Sequence, residues 1–85
     1  MLELYGTPTC PYTRELREAL WLEGREFREY DVEADPEAFR RLVDLTGGRA
    51  VPVLVENGRV VQVGYLGRTC LATPPAGGER GGLPG

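Results

Sequence analysis

The chain has 85 residues and a net charge of −3, and all ten of its basic residues are arginine. This length suits one small domain, and the acidic balance argues against nucleic acid as a partner. Histidine, the commonest general base and metal ligand, is absent, and two cysteines are too few for a secreted disulfide framework. Because no apolar run approaches membrane-spanning length, we expect a cytoplasmic protein without membrane contact.

The first predicted elements place a cysteine at a strand-to-helix junction. Residues 2–5 are typical of a short strand, and residues 11–22 have apolar side chains at helical spacing. Pro11 suits the first helical position, because its missing N–H group has no helical partner there. The free N–H groups and dipole of the helix would favour a thiolate at Cys10. We interpret Cys10 as an exposed, reactive nucleophile; a small buried apolar side chain is the alternative.

The following segments complete a βαβ unit. The predicted apolar face of the first helix is Tyr12, Leu16, Ala19 and Leu20, widened by Trp21 and Leu22. Residues 27–32 form the second predicted strand, which should lie parallel to the first after a right-handed crossover. Asp35 is a good N-cap and Pro36 a good first residue for a second helix, which ends at Gly47-Gly48.

A β-hairpin is predicted after the second helix. Residues 51–55 form the third strand and residues 60–63 the fourth. The dipeptide Asn57-Gly58 between them is the strongest short signal for a two-residue hairpin turn. The predicted order is therefore βαβ, helix, β-hairpin.

This order and two short motifs resemble the glutaredoxin family. Residues 10–13, Cys-Pro-Tyr-Thr, are similar to the family's Cys-Pro-Tyr-Cys active site, with threonine in place of the second cysteine. Ala50-Val51-Pro52 is similar to the family's Thr-Val-Pro, whose proline is cis and faces the active cysteine. The resemblance implies an α/β thioredoxin-like fold. Its four-stranded mixed sheet would have the order 2-1-3-4, with helices on both faces and a reduced C-terminal helix.

The resemblance also implies an activity and a set of site residues. The activity is that of a monothiol thiol-disulfide oxidoreductase in which the Cys10 thiolate attacks disulfides or glutathione mixed disulfides. The expected substrate-binding residues are Pro11, Tyr12, Thr13, Val51, Pro52, Gly64 and Tyr65. The Thr13 hydroxyl either donates a hydrogen bond to the thiolate or has a plain helix-surface role. We expect a monomer that acts on disulfide-bearing proteins or glutathione, with glutathione as co-substrate and no permanently bound cofactor.

Two departures from the family leave other functions open. Gly64-Tyr65-Leu66-Gly67 lacks both aspartates of the family's glutathione-binding segment, and Thr7 stands where the family has a basic residue. The charged glutathione contacts are therefore not evident. The alternatives are a glutathione-assisted iron–sulfur cluster protein, which would use a cysteine thiolate as ligand, and a non-catalytic adaptor with the same fold.

The C-terminal segment contains the second cysteine. Residues 1–71 are predicted to be the folded domain, and residues 72–85, with five glycines and three prolines, a flexible tail. Cys70 has two interpretations. It is either buried with Leu71 in the last apolar turn, which we favour, or it is a resolving thiol that forms a disulfide with Cys10.

Overall fold

The computed structural model describes residues 1–75, which contain two helices and six strands. In chain order these elements are β1 (Leu2–Gly6), α1 (Pro11–Leu22), β2 (Phe27–Asp31), α2 (Pro36–Thr46), β3 (Ala50–Val51), β4 (Val53–Glu56), β5 (Arg59–Val63) and β6 (Cys70–Leu71). Neither helix in this range is long and apolar enough to cross a membrane.

Four strands form a mixed sheet in the order β2-β1-β4-β5. Strand β1 is parallel to β2 and antiparallel to β4, and β4 is antiparallel to β5. This arrangement confirms the predicted α/β fold and the predicted strand order. The predicted third strand is divided, because Pro52 interrupts it after β3. Proline has no N–H group to donate to a strand partner, so the ladder breaks at that residue.

The sheet has a different core on each face. On the α1 face lies a cluster of five leucines: Leu2, Leu4, Leu16, Leu20 and Leu54. On the α2 face, Tyr5, Val53 and Val55 of the sheet pack with Ala38 and Leu42 of α2, and Cys10 belongs to the same cluster. The two helices therefore lie on opposite faces, as expected.

The predicted apolar face of α1 needs correction. Its buried residues are Thr13, Leu16 and Leu20, which recur at the spacing of one helical stripe. Trp21 and Leu22 are exposed, because they follow Leu20 at the end of the helix and turn away from the sheet. The remaining predicted members, Tyr12 and Ala19, are only partly buried.

Three local signals confirm the predicted ends of the elements. The Asp35 side chain accepts hydrogen bonds from the backbone N–H groups of Glu37 and Ala38, so it is the N-cap of α2. Gly47, with φ 77°, ends that helix in the left-handed conformation that glycine tolerates best. Asn57 and Gly58 both have positive φ, as a type I′ hairpin turn requires.

After β5 the chain turns and runs back across the molecule. Backbone hydrogen bonds join Tyr65 and Arg68 in both directions, and Leu66 and Gly67 between them have positive φ. We call residues 68–73, which include β6, the return arm. Within residues 1–75 no helix follows β5, and β6 pairs instead with β3 in a separate two-stranded sheet.

The boundary predicted at residue 72 falls inside the folded structure. Ala72 is fully buried in the core cluster of the α2 face, and Pro75 is also buried. Leu71, the last residue of the predicted folded domain, is 68% exposed. The reason is the alternation of an extended chain, which turns Leu71 at the end of β6 outwards and the next residue, Ala72, inwards. The rest of the predicted tail, residues 76–85, lies outside the described residues.

Candidate active site

Cys10 caps the N-terminus of α1. It has extended backbone angles, φ −85° and ψ 117°, and Pro11 is the first helical residue. The Cys10 carbonyl accepts the first helical hydrogen bond, from the Arg14 N–H at 3.2 Å. The cysteine therefore lies at the positive end of the helix dipole, as predicted.

Cys10 forms a disulfide with Cys70, 60 positions along the chain, with 6.1 Å between the two Cα atoms. The favoured interpretation of Cys70 as a residue buried with Leu71 in an apolar turn is therefore wrong. The expectation that Cys10 is exposed is also wrong, since only 2% of the residue is accessible. The physical reason is the same in both cases: the return arm crosses the helix N-terminus and covers the Cys10 sulfur.

Strand pairing holds Cys70 in this position. In the antiparallel pair of β3 and β6, Val51 lies opposite Cys70 and Ala50 opposite Leu71. The Val51–Pro52 peptide bond is cis, as the resemblance implied. Val51 and Cys10 belong to the same core cluster. The edge of β3 beside Cys10 is thus paired with the chain's own second cysteine.

Three hydrogen bonds from two residues fix the end of the return arm. Arg49 binds Ala72 twice: its carbonyl accepts from the Ala72 N–H at 2.9 Å, and its guanidinium donates to the Ala72 carbonyl at 2.8 Å. The Glu33 carboxylate accepts a hydrogen bond from the Thr73 N–H at 2.8 Å. All of these bonds involve the backbone of the arm, so they do not depend on its side chains.

Arg68 fixes the beginning of the return arm. Its guanidinium carbon lies 4.9 Å from the centre of the Tyr12 ring, within the range of a cation–π contact. A guanidinium nitrogen also lies 3.9 Å from a carboxylate oxygen of Glu15. Tyr12 of the Cys-Pro-Tyr-Thr motif therefore contacts the arm and also packs against the core cluster of the α2 face.

Thr13, which replaces the family's second cysteine, is completely buried. Its side chain fits against Gly6 of β1, where an added Cβ atom would be 2.3 Å from the threonine methyl group. Its hydroxyl has no hydrogen-bond partner in this disulfide-bonded state. The expected hydrogen bond to Cys10 is therefore not made here, and the helix-surface alternative is wrong.

The structure brings Gly64 to the site but directs Tyr65 elsewhere. Gly64 donates its N–H to the Pro52 carbonyl at 2.7 Å. An added Cβ atom on Gly64 would lie 2.8 Å from the Arg68 carbonyl and 2.9 Å from the Thr69 methyl group, so the arm passes directly over this glycine. Tyr65 instead packs against the leucine cluster on the α1 face. Pro11 is exposed beside the helix N-terminus.

Sequence reasoning missed four residues that hold the arm, namely Glu33, Arg49, Arg68 and Ala72. A local signal for the arm exists: the run Thr69-Cys70-Leu71-Ala72-Thr73 is bounded by Gly67 and Pro74, as short strands often are. No comparable signal identifies its partners, because Glu33 and Arg49 are distant in sequence. Their roles depend on the path that the chain takes after β5.

A charged cluster lies on the α2 side of the sheet. The Tyr5 hydroxyl donates to Glu3 and accepts from the Arg41 guanidinium, at 2.9 and 3.0 Å. Burial raises the pKa of Tyr5, and the hydrogen bond from Arg41 partly opposes this shift. The same bond raises the pKa of Arg41. Within residues 1–75 no group of three or more His, Cys, Asp or Glu side chains is arranged to hold a metal ion.

Comparisons with known proteins agree with this fold. The family model described as Glutaredoxin matches residues 2–61. An uncharacterised glutaredoxin-like protein of 8.6 kDa from the rubredoxin operon of Clostridium pasteurianum is 29% identical over 65 residues, which are 76% of this chain and 85% of that protein. The thioredoxin-like protein BC3987, whose crystal structure is known, is 31% identical in sequence to this chain, and the two structures match with a TM-score of 0.67. The match covers 72% of this chain and 84% of BC3987. The crystal structure of a glutaredoxin from Archaeoglobus fulgidus matches with 28% sequence identity and a TM-score of 0.64. That match covers 75% of this chain and 74% of the glutaredoxin.

Proposed function

Because the chain belongs to the glutaredoxin family, we propose that it is a thiol-disulfide oxidoreductase in which Cys10 is the nucleophile and Cys70 the resolving thiol. The observation that supports this assignment is the Cys10–Cys70 disulfide, which joins the helix-capping cysteine to the only other cysteine of the chain. The expected single-thiol chemistry is then replaced by two-thiol chemistry, with the second thiol supplied from β6 instead of from position 13.

The proposed reaction starts from the reduced protein. The Cys10 thiolate attacks one sulfur of a substrate disulfide, a new S–S bond forms, and the other substrate sulfur leaves as a thiolate with the electron pair. The Cys70 thiolate then attacks the Cys10 sulfur and releases the second substrate thiolate. The substrate gains two electrons and, after protonation, becomes two thiols, while the two cysteines are oxidised to their disulfide.

The helix N-terminus supplies the activation. Unpaired N–H groups and the helix dipole stabilise negative charge on the sulfur of residue 10, so the thiolate is the favoured form after reduction. The buried Thr13 hydroxyl, which has no acceptor in the disulfide-bonded state, is a candidate donor to that thiolate. Both effects act on the reduced form alone.

Glutathione is the proposed external reductant. Two glutathione thiols would return the Cys10–Cys70 disulfide to two thiols and leave as glutathione disulfide, which balances the cycle. Such a supply of thiols exists in the cytoplasm, where we propose that the protein acts as a monomer on disulfide-bearing proteins. An iron–sulfur cluster would instead need a free Cys10 thiolate with open space above it. The disulfide-bonded form offers neither, and no observation favours the cluster or the adaptor alternative.

The activity is tested by reduction of a protein disulfide. Reduced protein is incubated with insulin, and loss of the insulin disulfides is followed by mass spectrometry together with the state of Cys10 and Cys70. We expect one substrate disulfide to be reduced for each internal disulfide formed, and no reaction from the Cys10→Ser variant. Equal insulin reduction by wild type and Cys10→Ser would contradict the proposed function.

A further inference from the structure

We propose that the return arm is an internal copy of the substrate. When the Cys10–Cys70 disulfide is reduced, the arm leaves β3, and the vacated edge binds an extended peptide segment in the same register. That peptide has a basic residue two positions before its reactive cysteine and a small residue two positions after it. This inference rests on the proposed function, and it specifies which protein disulfides the site accepts.

The weakness of the two-stranded sheet is the first argument. Strands β3 and β6 pair over only two residues each, at Ala50–Leu71 and Val51–Cys70. A ladder of this length has marginal stability in water unless another interaction supports it. The arm is also supported by three hydrogen bonds with Arg49 and Glu33 and by the burial of Ala72, and the disulfide is its only crosslink to the site. Reduction removes that crosslink. The free edge of β3 then presents unpaired backbone groups beside Cys10, which can bind an extended peptide by adding a strand.

The register of β6 gives the positions of the substrate residues. A substrate cysteine must reach the Cys10 sulfur, so it takes the place of Cys70 opposite Val51. The residue before it then lies where Thr69 lies, against Gly64, which has no side chain to obstruct it. The substrate residue two positions after the cysteine takes the place of Ala72. Its backbone N–H and carbonyl can then bind the Arg49 carbonyl and guanidinium, as those of Ala72 do now. Because those are backbone contacts, any peptide can make them.

Side-chain selection comes from the positions of Ala72 and Arg68. Ala72 is fully buried in the cluster that includes Val51 and Val53, so a larger side chain there would overpack a close-packed core. Arg68 contacts Tyr12 and Glu15, which belong to α1 and stay in place when the arm leaves. An arginine or lysine of the substrate can make the same contacts. Leu71 is exposed, and the corresponding substrate position should have little selectivity.

The test uses the full-length Cys70→Ser variant and four hexapeptides whose cysteine carries a 5-thio-2-nitrobenzoate group. Attack by the Cys10 thiolate forms the protein–peptide disulfide and releases 5-thio-2-nitrobenzoate, which is coloured and identical for every peptide. The parent peptide has the sequence of the arm, Arg-Thr-Cys-Leu-Ala-Thr. Two isomers exchange Arg with Thr or Leu with Ala, so that charge and composition stay constant. The fourth peptide has alanine in place of the leucine and is the control.

We expect the second-order rate constant to depend on register. Moving the arginine next to the cysteine should slow the reaction about 3-fold, which corresponds to the loss of one cation–π contact. Placing leucine at the buried position should slow it at least about 10-fold, because of overpacking. The control peptide should react within about 2-fold of the parent, as expected for an exposed position. In a Tyr12→Leu, Cys70→Ser protein, the preference for the parent over the arginine isomer should disappear.

Failure of the inference can be distinguished from failure of the proposed function. If all four peptides react at one rate, while Cys10 also reacts readily with free 5,5′-dithiobis(2-nitrobenzoate), the inference is overturned and the oxidoreductase assignment is retained. If Cys10 reacts neither with the peptides nor with the free reagent, the proposed function itself is contradicted. A faster reaction of either isomer than of the parent also overturns the inference.

Discussion

The two sheets of this protein are held together in different ways. The four-stranded sheet β2-β1-β4-β5 has an apolar cluster on each face and a helix over each cluster. The β3–β6 sheet has two residue pairs, one disulfide and a few polar contacts along the return arm, and it adds only Val51 and the neighbouring Ala72 as fully buried residues to the cluster of the α2 face. The first should persist whatever the state of the cysteines, whereas the second should depend on it. Because Cys70 lies on the weaker sheet and Cys10 at the end of α1, the disulfide can open without unfolding the four-stranded scaffold.

The largest effect expected from a single substitution is on activity. Replacing Cys10 by serine removes the nucleophile, and disulfide reduction should fall by at least about a thousandfold. Circular dichroism should still show the four-stranded scaffold, because that sheet does not include residue 10. The rate of insulin reduction at saturating reductant measures the effect. Residual activity above a tenth of the wild-type value would show that another group performs the attack.

The next effect is on stability. The disulfide closes a loop of 60 positions, and the restriction it places on the unfolded chain corresponds to about 4 kcal/mol. Reduction should therefore lower the free energy of unfolding by that order, and urea denaturation with and without dithiothreitol measures it. The Cys70→Ser variant is the matched control, and its stability should not respond to dithiothreitol. An unchanged wild-type midpoint would contradict a crosslink between these residues.

Hydrogen exchange sharpens the same comparison at individual amides. The Ala72 N–H bonds to the Arg49 carbonyl in the return arm, and the Val32 N–H bonds to the Gly6 carbonyl at the end of β1. On reduction, exchange at Ala72 should accelerate towards the rate of an open chain, while Val32 stays protected. If Ala72 kept its protection after reduction, the arm would stay docked, and the two sheets would not differ in the way described.

A smaller effect is expected at Arg68. Its contacts with Tyr12 and Glu15 are partly exposed, so Arg68→Ala should weaken the docking of the arm by only about 0.5–1 kcal/mol. The equilibrium constant for forming the Cys10–Cys70 disulfide in a glutathione buffer should fall by the corresponding factor of about 2–5. Arg59→Ala, on the exposed face of β5, is the control and should leave that constant unchanged. Equal values for wild type and Arg68→Ala would exclude a role for this contact.

The smallest effect is a pH dependence of the scaffold. Burial raises the pKa of Tyr5 in the folded protein, so folding favours the neutral phenol. This contribution is fully present below the unfolded pKa of about 10 and is lost as the pH rises through the folded pKa. The free energy of unfolding should decline above pH 10, and less steeply in Tyr5→Phe, with or without dithiothreitol. A steeper decline in the variant would contradict the sign of the shift.

Much of the scaffold is predictable from the sequence, because local signals at the ends of its helices and strands indicate the same elements that the apolar pattern predicts. The cap at Asp35, the turn at Asn57-Gly58 and the proline at the start of α1 each have a local physical cause, and the structure has all three. The site is less predictable, since the pairing of Cys70 with Cys10 depends on a chain reversal at Leu66-Gly67. The Gly/Pro-rich composition of residues 72–85 predicts a flexible tail from Ala72 onwards, but Ala72 itself is buried in the core. Long-range contacts of this kind leave no periodicity in the sequence.

The central claim is that Cys70 resolves a disulfide formed at Cys10, and one measurement tests it most directly. Reduced wild type and Cys70→Ser are mixed with one equivalent of the peptide Arg-Thr-Cys-Leu-Ala-Thr carrying 5-thio-2-nitrobenzoate, and intact masses are followed over time. We predict that Cys70→Ser accumulates the peptide adduct at Cys10, whereas wild type releases the peptide and ends as a monomer with an internal Cys10–Cys70 disulfide. An adduct that persists equally long in both proteins would contradict the resolving role of Cys70.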